Sequence, residues 1–147
     1  MDNNVIISIK GKQSFEGAED EVIELVTEGL MKKEGERTYT LSYQESELTG
    51  MGGTLTTFQI EEGRVTLLRL GQFNSQMVFE QGRRHLSMYE TPYGALAIGV
   101  NTRAMDCTLD EHGGRLEVNY DIEIDHAVAG ANRFLIDVRE KRPGVKQ

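Results

Sequence analysis

Tryptophan is absent from this 147-residue chain, proline occurs twice and cysteine once, at Cys107. One cysteine excludes an intrachain disulfide and a thiolate-rich metal centre. A lone thiol suits a reducing compartment, so a cytoplasmic location is expected. No run approaches the ~20 apolar residues of a membrane-spanning helix, and no membrane partner is expected. The stretch Met1–Lys10 lacks the basic start and small-residue cleavage site of a secretory leader. Positive charge is also scarce: 16 Lys and Arg stand against 24 Asp and Glu, a net charge of −8. Residues 139–147 carry a surplus of +3, from Arg139, Lys141, Arg142 and Lys146 against Glu140, which leaves −11 on the rest. Such a body repels phosphate, and Arg83-Arg84-His85 is too small a patch to offset it, so no nucleic-acid partner is expected.

What is present is period-two alternation. Leu116, Val118, Tyr120, Ile122 and Ile124 share one face of residues 116–125, with Glu117, Asn119, Asp121, Glu123 and Asp125 on the other. That is the pattern of a half-buried strand. Phe134, Ile136 and Val138 repeat it, as do Tyr39, Leu41 and Tyr43, and Val5, Ile7 and Ile9. Glycine-bearing turn signals separate the runs, at Glu34-Gly35-Glu36, Gly50–Gly53, Glu62-Gly63, Gln81-Gly82-Arg83, Thr91–Gly94 and Glu111–Gly114. Short strands at this spacing predict an antiparallel sandwich or barrel. Residues 20–32 fit a helix through Val22, Leu25, Val26, Gly29 and Leu30, and a strand through Ile23, Leu25, Thr27 and Met31; locally the two are equal.

Hairpin registers follow from the turns. A Glu62-Gly63 turn sets Ile60 against Val65, Phe58 against Leu67 and Thr56 against Arg69. A Gly82-Arg83 turn sets Phe79 against Leu86 and Met77 against Met88. A loop over 111–114 sets Leu109 against Leu116, Cys107 against Val118, Met105 against Tyr120 and Arg103 against Ile122. Each register gathers one mainly apolar face, which a one-residue slip would scramble.

Residues 79–94, Phe-Glu-Gln-Gly-Arg-Arg-His-Leu-Ser-Met-Tyr-Glu-Thr-Pro-Tyr-Gly, resemble the YwiB-like family of uncharacterised bacterial proteins. So do Thr102, the Gly113-Gly114 turn and Tyr120, and Tyr89-x-Thr-Pro-Tyr-Gly94 is the most specific stretch. The resemblance covers nearly the whole chain. It implies a calycin: a lipocalin-like, up-and-down antiparallel meander barrel of eight to ten strands. It also makes 20–32 a strand paired with 37–47, and it carries no established activity. The Gly-x-Trp of true lipocalins is absent.

Chemical motifs are sparse. Gly50-Met-Gly-Gly-Thr-Leu55 lacks both the third glycine of a dinucleotide fingerprint and the Gly-Lys-Ser/Thr of a P-loop, and reads as a connection. His85, His112 and His126 have no metal-ligand spacing, so neither metal nor cofactor is expected. Cys107, among Met105 and Leu109, reads as a buried inert thiol. With no acid/base or nucleophile pair, an enzyme is the third and weakest reading, and there are no catalytic residues to name.

Two arginines fall on apolar faces: Arg69 with Phe58, Ile60, Val65 and Leu67, and Arg103 with Met105, Cys107 and Tyr120. Such an arginine is accommodated either within the protein, by snorkelling to the rim or pairing with an inward acid such as Glu90, or by a ligand anion. Internal arginines serve the second role in cytoplasmic fatty-acid-binding calycins. The expectation is therefore an all-β barrel domain over 1–140 with a frayed basic tail over 141–147. It binds a small, partly apolar, anionic or amphipathic ligand near Arg69, Arg103, Tyr89, Tyr120 and Thr56. The competing reading is a protein-interaction or assembly module with a filled core, which Phe58, Phe79, Tyr120 and Phe134 favour; a homodimer is left open.

Overall fold

Alternation along the sequence becomes ten antiparallel strands in the computed structural model, which describes residues 2–14, 20–45, 53–71, 74–110, 112–124 and 127–141. They are β1 (Asp2–Ser14), β2 (Glu21–Gly35), β3 (Thr38–Gln44), β4 (Leu55–Glu61), β5 (Arg64–Leu70), β6 (Ser75–Glu80), β7 (Arg84–Thr91), β8 (Gly94–Cys107), β9 (Gly113–Ile124) and β10 (Ala127–Glu140). Each strand lies beside its sequence neighbours, and β1 pairs with both β2 and β10, which closes the sheet into a barrel. Closure leaves no free sheet edge, the usual solution for an all-antiparallel meander. No helix among the described residues is long and apolar enough to cross a membrane.

Residues 20–32 resolve as strand, because β2 has a template on each side. Leu25 stands opposite Ile9, Thr27 opposite Ile7 and Gly29 opposite Val5, while Leu30 to Lys33 pair with Ser42 to Tyr39 of β3. Gly29 is required there: a Cβ would strike the Ile7 side chain and lie 2.6 Å from the Ser42 carbonyl oxygen. The Glu62-Gly63 hairpin adopts the expected register, with Thr56 opposite Arg69 and Ile60 opposite Val65.

The other two registers need correction. The turn after β6 is centred on Gln81-Gly82, with the Arg83 amide donating to the Glu80 carbonyl at 2.9 Å. One residue out of step with that turn, Ser75 rather than Gln76 opposes Tyr89. That one-residue slip turns β7 over: Ser87 is buried, while Leu86 and Met88 are 71% and 56% exposed on the outer wall. In the 102–124 hairpin, Cys107 opposes Leu116 and Met105 opposes Val118; a bulge at Arg103 then sets Thr102 against Tyr120. The bulge turns Thr102 inward and Arg103 outward. Cys107 is exposed, not buried.

The outer wall of β9 is laced by cross-strand ion pairs: Arg133 to Glu117 at 2.8 Å, Arg84 to Glu123 at 3.2 Å and Arg103 to Asp121 at 3.3 Å. The core occupies the end of the barrel that holds the β2–β3, β4–β5 and β6–β7 turns, where Ile7, Met31, Leu41, Phe79, Leu116 and Ile136 are fully buried. β10 ends at Glu140, and Lys141 still donates its amide to the Asn4 carbonyl at 2.9 Å. The expected frayed tail beyond it, and the glycines at 50 and 52, lie outside the described residues.

Candidate functional site

Four aromatic rings mark the boundary between filled and open halves. Phe79 packs edge-on against Tyr120 and Phe134, with centroids 4.8 and 5.4 Å apart, and Phe134 meets Phe58 at 5.8 Å. Above this floor is a cavity of about 540 Å³. Its wall is mostly apolar, including Ile9, Leu25, Phe58, Leu67, Met77 and Ile98. Exposed Lys12, Ile23, Leu96 and Arg133 stand around it and open it to solvent. Both sequence readings of the interior hold in part: the large rings fill the lower barrel and leave the upper barrel hollow.

Arg69 lines this cavity from β5. Its Nε is buried and has no hydrogen-bond partner. Glu90, the acid considered as its partner, is exposed and accepts a hydrogen bond from the Asn74 amide at 2.9 Å. Thr56, opposite Arg69 on β4, is fully buried and donates its hydroxyl to Glu45 at 2.5 Å. The Tyr43 hydroxyl is hydrogen-bonded to both Glu45 and Thr56. Two hydroxyls therefore solvate the Glu45 carboxylate, which is 6% exposed, while on the same cavity wall the Arg69 Nε has no partner. Burial, and then the Glu45 charge, push the Tyr43 pKa well above its ordinary value, against the opposing pull of Arg69. Burial likewise raises Tyr120, which also feels Arg69. The electrostatic reach of Arg69 thus extends to both phenols.

The expected site residues separate. Arg69 and Tyr120 line the cavity, and Thr56 reaches it only through its bond to Glu45, which also lines it. Arg103 is excluded from it, because the bulge aims its side chain outward to Asp121. The Tyr89 backbone sits in β7 opposite Leu96, but its side chain lies outside the described residues. The sequence reading passed over Tyr43, Glu45 and Asn132. Each continues an alternation already in view: Glu45 follows Leu41 and Tyr43, and Asn132 precedes Phe134 and Ile136. Asn132 lines the cavity, is 4% exposed, and has neither its amide nitrogen nor its oxygen paired. Ser87 and Thr102 also bury unpaired hydroxyls, away from the cavity wall.

Other chemistry is thin. Among the described residues no three or more His, Cys, Asp and Glu side chains gather where a metal could be held. His85 contacts Glu80 at 3.0 Å and His112 contacts Glu140 at 2.8 Å; His126 lies outside the described residues. Partial desolvation raises the Cys107 thiol, the opposite of what a nucleophile requires.

Residues 7–136 match the family described as "Domain of unknown function (DUF1934)". The chain is 29% identical over 104 residues to the "Uncharacterized beta-barrel protein YwiB" of Bacillus subtilis (strain 168), covering 71% of each chain. The crystal structure of the ywiB protein from Bacillus subtilis superposes with a TM-score of 0.80 at 22% identity, covering 96% of this chain and 94% of that one. That likeness concerns the fold.

Proposed function

This protein belongs to the DUF1934 family, and we propose that it is a small-molecule-binding barrel that takes a partly apolar, anionic ligand into the upper cavity with Arg69 as anchor. The manner of binding is lipocalin-like, with the ligand inside the barrel and entry from one end. The observation that carries this reading is the enclosed, unpartnered Arg69 Nε on the wall of a cavity of about 540 Å³, a volume within the range of small-molecule sites. Leaving a buried donor unpaired is costly, and a ligand carboxylate, sulfonate or phosphate removes that cost through a charge-assisted, bidentate contact. The apolar wall and the edges of Phe58, Phe134 and Tyr120 receive the rest of the ligand.

The test is a titration with 8-anilino-1-naphthalenesulfonate, a fluorescent apolar anion, of the wild type and Arg69→Met. Methionine keeps bulk and removes the charge. Saturable binding that weakens about tenfold in the variant, or about 1.4 kcal/mol, is expected. Equal affinity in the two proteins, or no binding by either, refutes the anchor.

A further inference from the structure

Asn132 presents a second unmet demand on the same cavity. It lies on β10 opposite Tyr120 of β9 and Gln13 of β1. Its side chain is almost fully enclosed, at 4% exposure, and neither the Nδ2 donor nor the Oδ1 acceptor has a partner. Buried polar atoms are paired in the great majority of cases, and a carboxamide with both functions idle is rare. Leucine or valine would continue the run of Phe134 and Ile136 with no such cost, so the amide stands against the stability of the empty barrel.

Its position relative to Arg69 adds geometry. Following the closed ring in either direction, β5 and β10 are five strands apart. The guanidinium and the carboxamide therefore sit on opposite walls, with Tyr120, which feels Arg69 electrostatically, on the strand next to Asn132. A molecule that satisfies both must cross the bore. An anion meets Arg69. Asn132 offers a donor and an acceptor side by side, and its full complement is another group with an acceptor and a donor side by side. Carboxamides, lactams and cyclic imides have that edge; esters, ketones, ethers and alkyl ends do not.

We infer that the ligand is a bifunctional molecule with an anionic group at one end and an amide-type edge at the other, joined by an apolar spacer that crosses the barrel. This rests on the proposed function and narrows its ligand class. Calorimetric titration with a series of dicarboxylic acid monoamides of increasing spacer length tests it, against methyl-terminated monocarboxylates of matching length. At one spacer length the monoamide is expected to bind at least tenfold more tightly than its methyl-terminated match. Asn132→Leu is expected to erase that preference and raise the melting temperature of the free protein. Binding that depends on Arg69 but shows no amide preference at any length overturns this inference and leaves the proposed function standing. A preference that survives Asn132→Leu overturns it too. Failure of every compound to bind removes both.

Discussion

Tyr43 is the residue on which opposite charges in the cavity are balanced. Its phenol is buried, hydrogen-bonded to Glu45 and Thr56, and within the field of Arg69. In the folded protein its pKa is raised, chiefly by burial, above the ordinary value of 10.0. A group held in its neutral form in this way contributes full stability below its unfolded pKa. That contribution is lost as the pH climbs from there toward the folded value. Stability is therefore expected to fall above about pH 10 in the wild type and to fall less steeply in Tyr43→Phe, with the raised Tyr120 accounting for a remainder. At neutral pH, Tyr43→Phe is expected to cost about 1 kcal/mol, because Glu45 loses a donor. Urea midpoints at about pH 7 and about pH 11 measure both effects. Parallel pH curves for the two proteins would contradict this account of the phenol. Arg69→Met, by contrast, removes the cation whose field opposes the Glu45 charge at Tyr43, and is expected to weaken binding of an anionic ligand.

Among the strands, glycines separate into those the ladder demands and those it only tolerates. Gly113, at the start of β9, has φ 129° and would drive a Cβ into the Val138 carbonyl of β10. Gly99 on β8 would bring a Cβ only against the guanidinium of Arg84, the movable end of a side chain on the outer wall. Gly113→Ala is expected to cost about 3 kcal/mol and Gly99→Ala under about 1. Chemical denaturation of the pair reads the difference, and equal costs would refute the distinction. The same strands show what the sequence could reveal. Alternation identified the inward faces of β1, β3, β9 and β10, since a buried wall on one side of a pleat admits only one phase. At β7, the apolar Leu86 and Met88 favoured a register one residue out; the turn is tied instead to β8, the Gly82 amide donating to the Thr102 carbonyl at 3.0 Å and the Thr102 amide to the Arg83 carbonyl at 3.2 Å, and that is tertiary information. The bulge at Arg103 bears no glycine or proline to announce it, so an outward ion pair passed for an inward cation. Arg69 was legible because the Glu62-Gly63 turn fixes its phase. Glu45 and Asn132 were just as legible by one further step of two, but their polarity marked each as the end of a strand rather than the lining of a cavity.

Around the whole ring the ladders are unequal. β2 follows β1 from Lys32 opposite Asp2 to Glu21 opposite Gln13, and β10 follows β9 from Ala127 opposite Ile124 to Arg139 opposite Gly113. Between β6 and β7 one registered pair remains, Ser75 with Tyr89, with the Glu90 amide donating to the Asn74 carbonyl at 3.1 Å just beyond it. The local reason is a change of step: the turn sets Arg83 against Glu80, whereas Ser75 stands opposite Tyr89, one residue out of that register. A closed barrel opens where its ladder is weakest, because each lost backbone pair there is one that was scarcely formed. Local opening is therefore expected along β6–β7, with β1, β2, β9 and β10 holding as the last cooperative unit. Native-state hydrogen exchange measures this directly. Amides of β6 and β7 that face this seam are expected to exchange at least tenfold faster than those shared by β9 and β10, a gap of about 1.4 kcal/mol in opening free energy. Met77 on β6 lines the cavity, so a ligand held inside is expected to slow exchange at the seam more than at β9–β10. Uniform exchange around the ring, or a seam unaffected by a saturating ligand, would show that the barrel opens elsewhere.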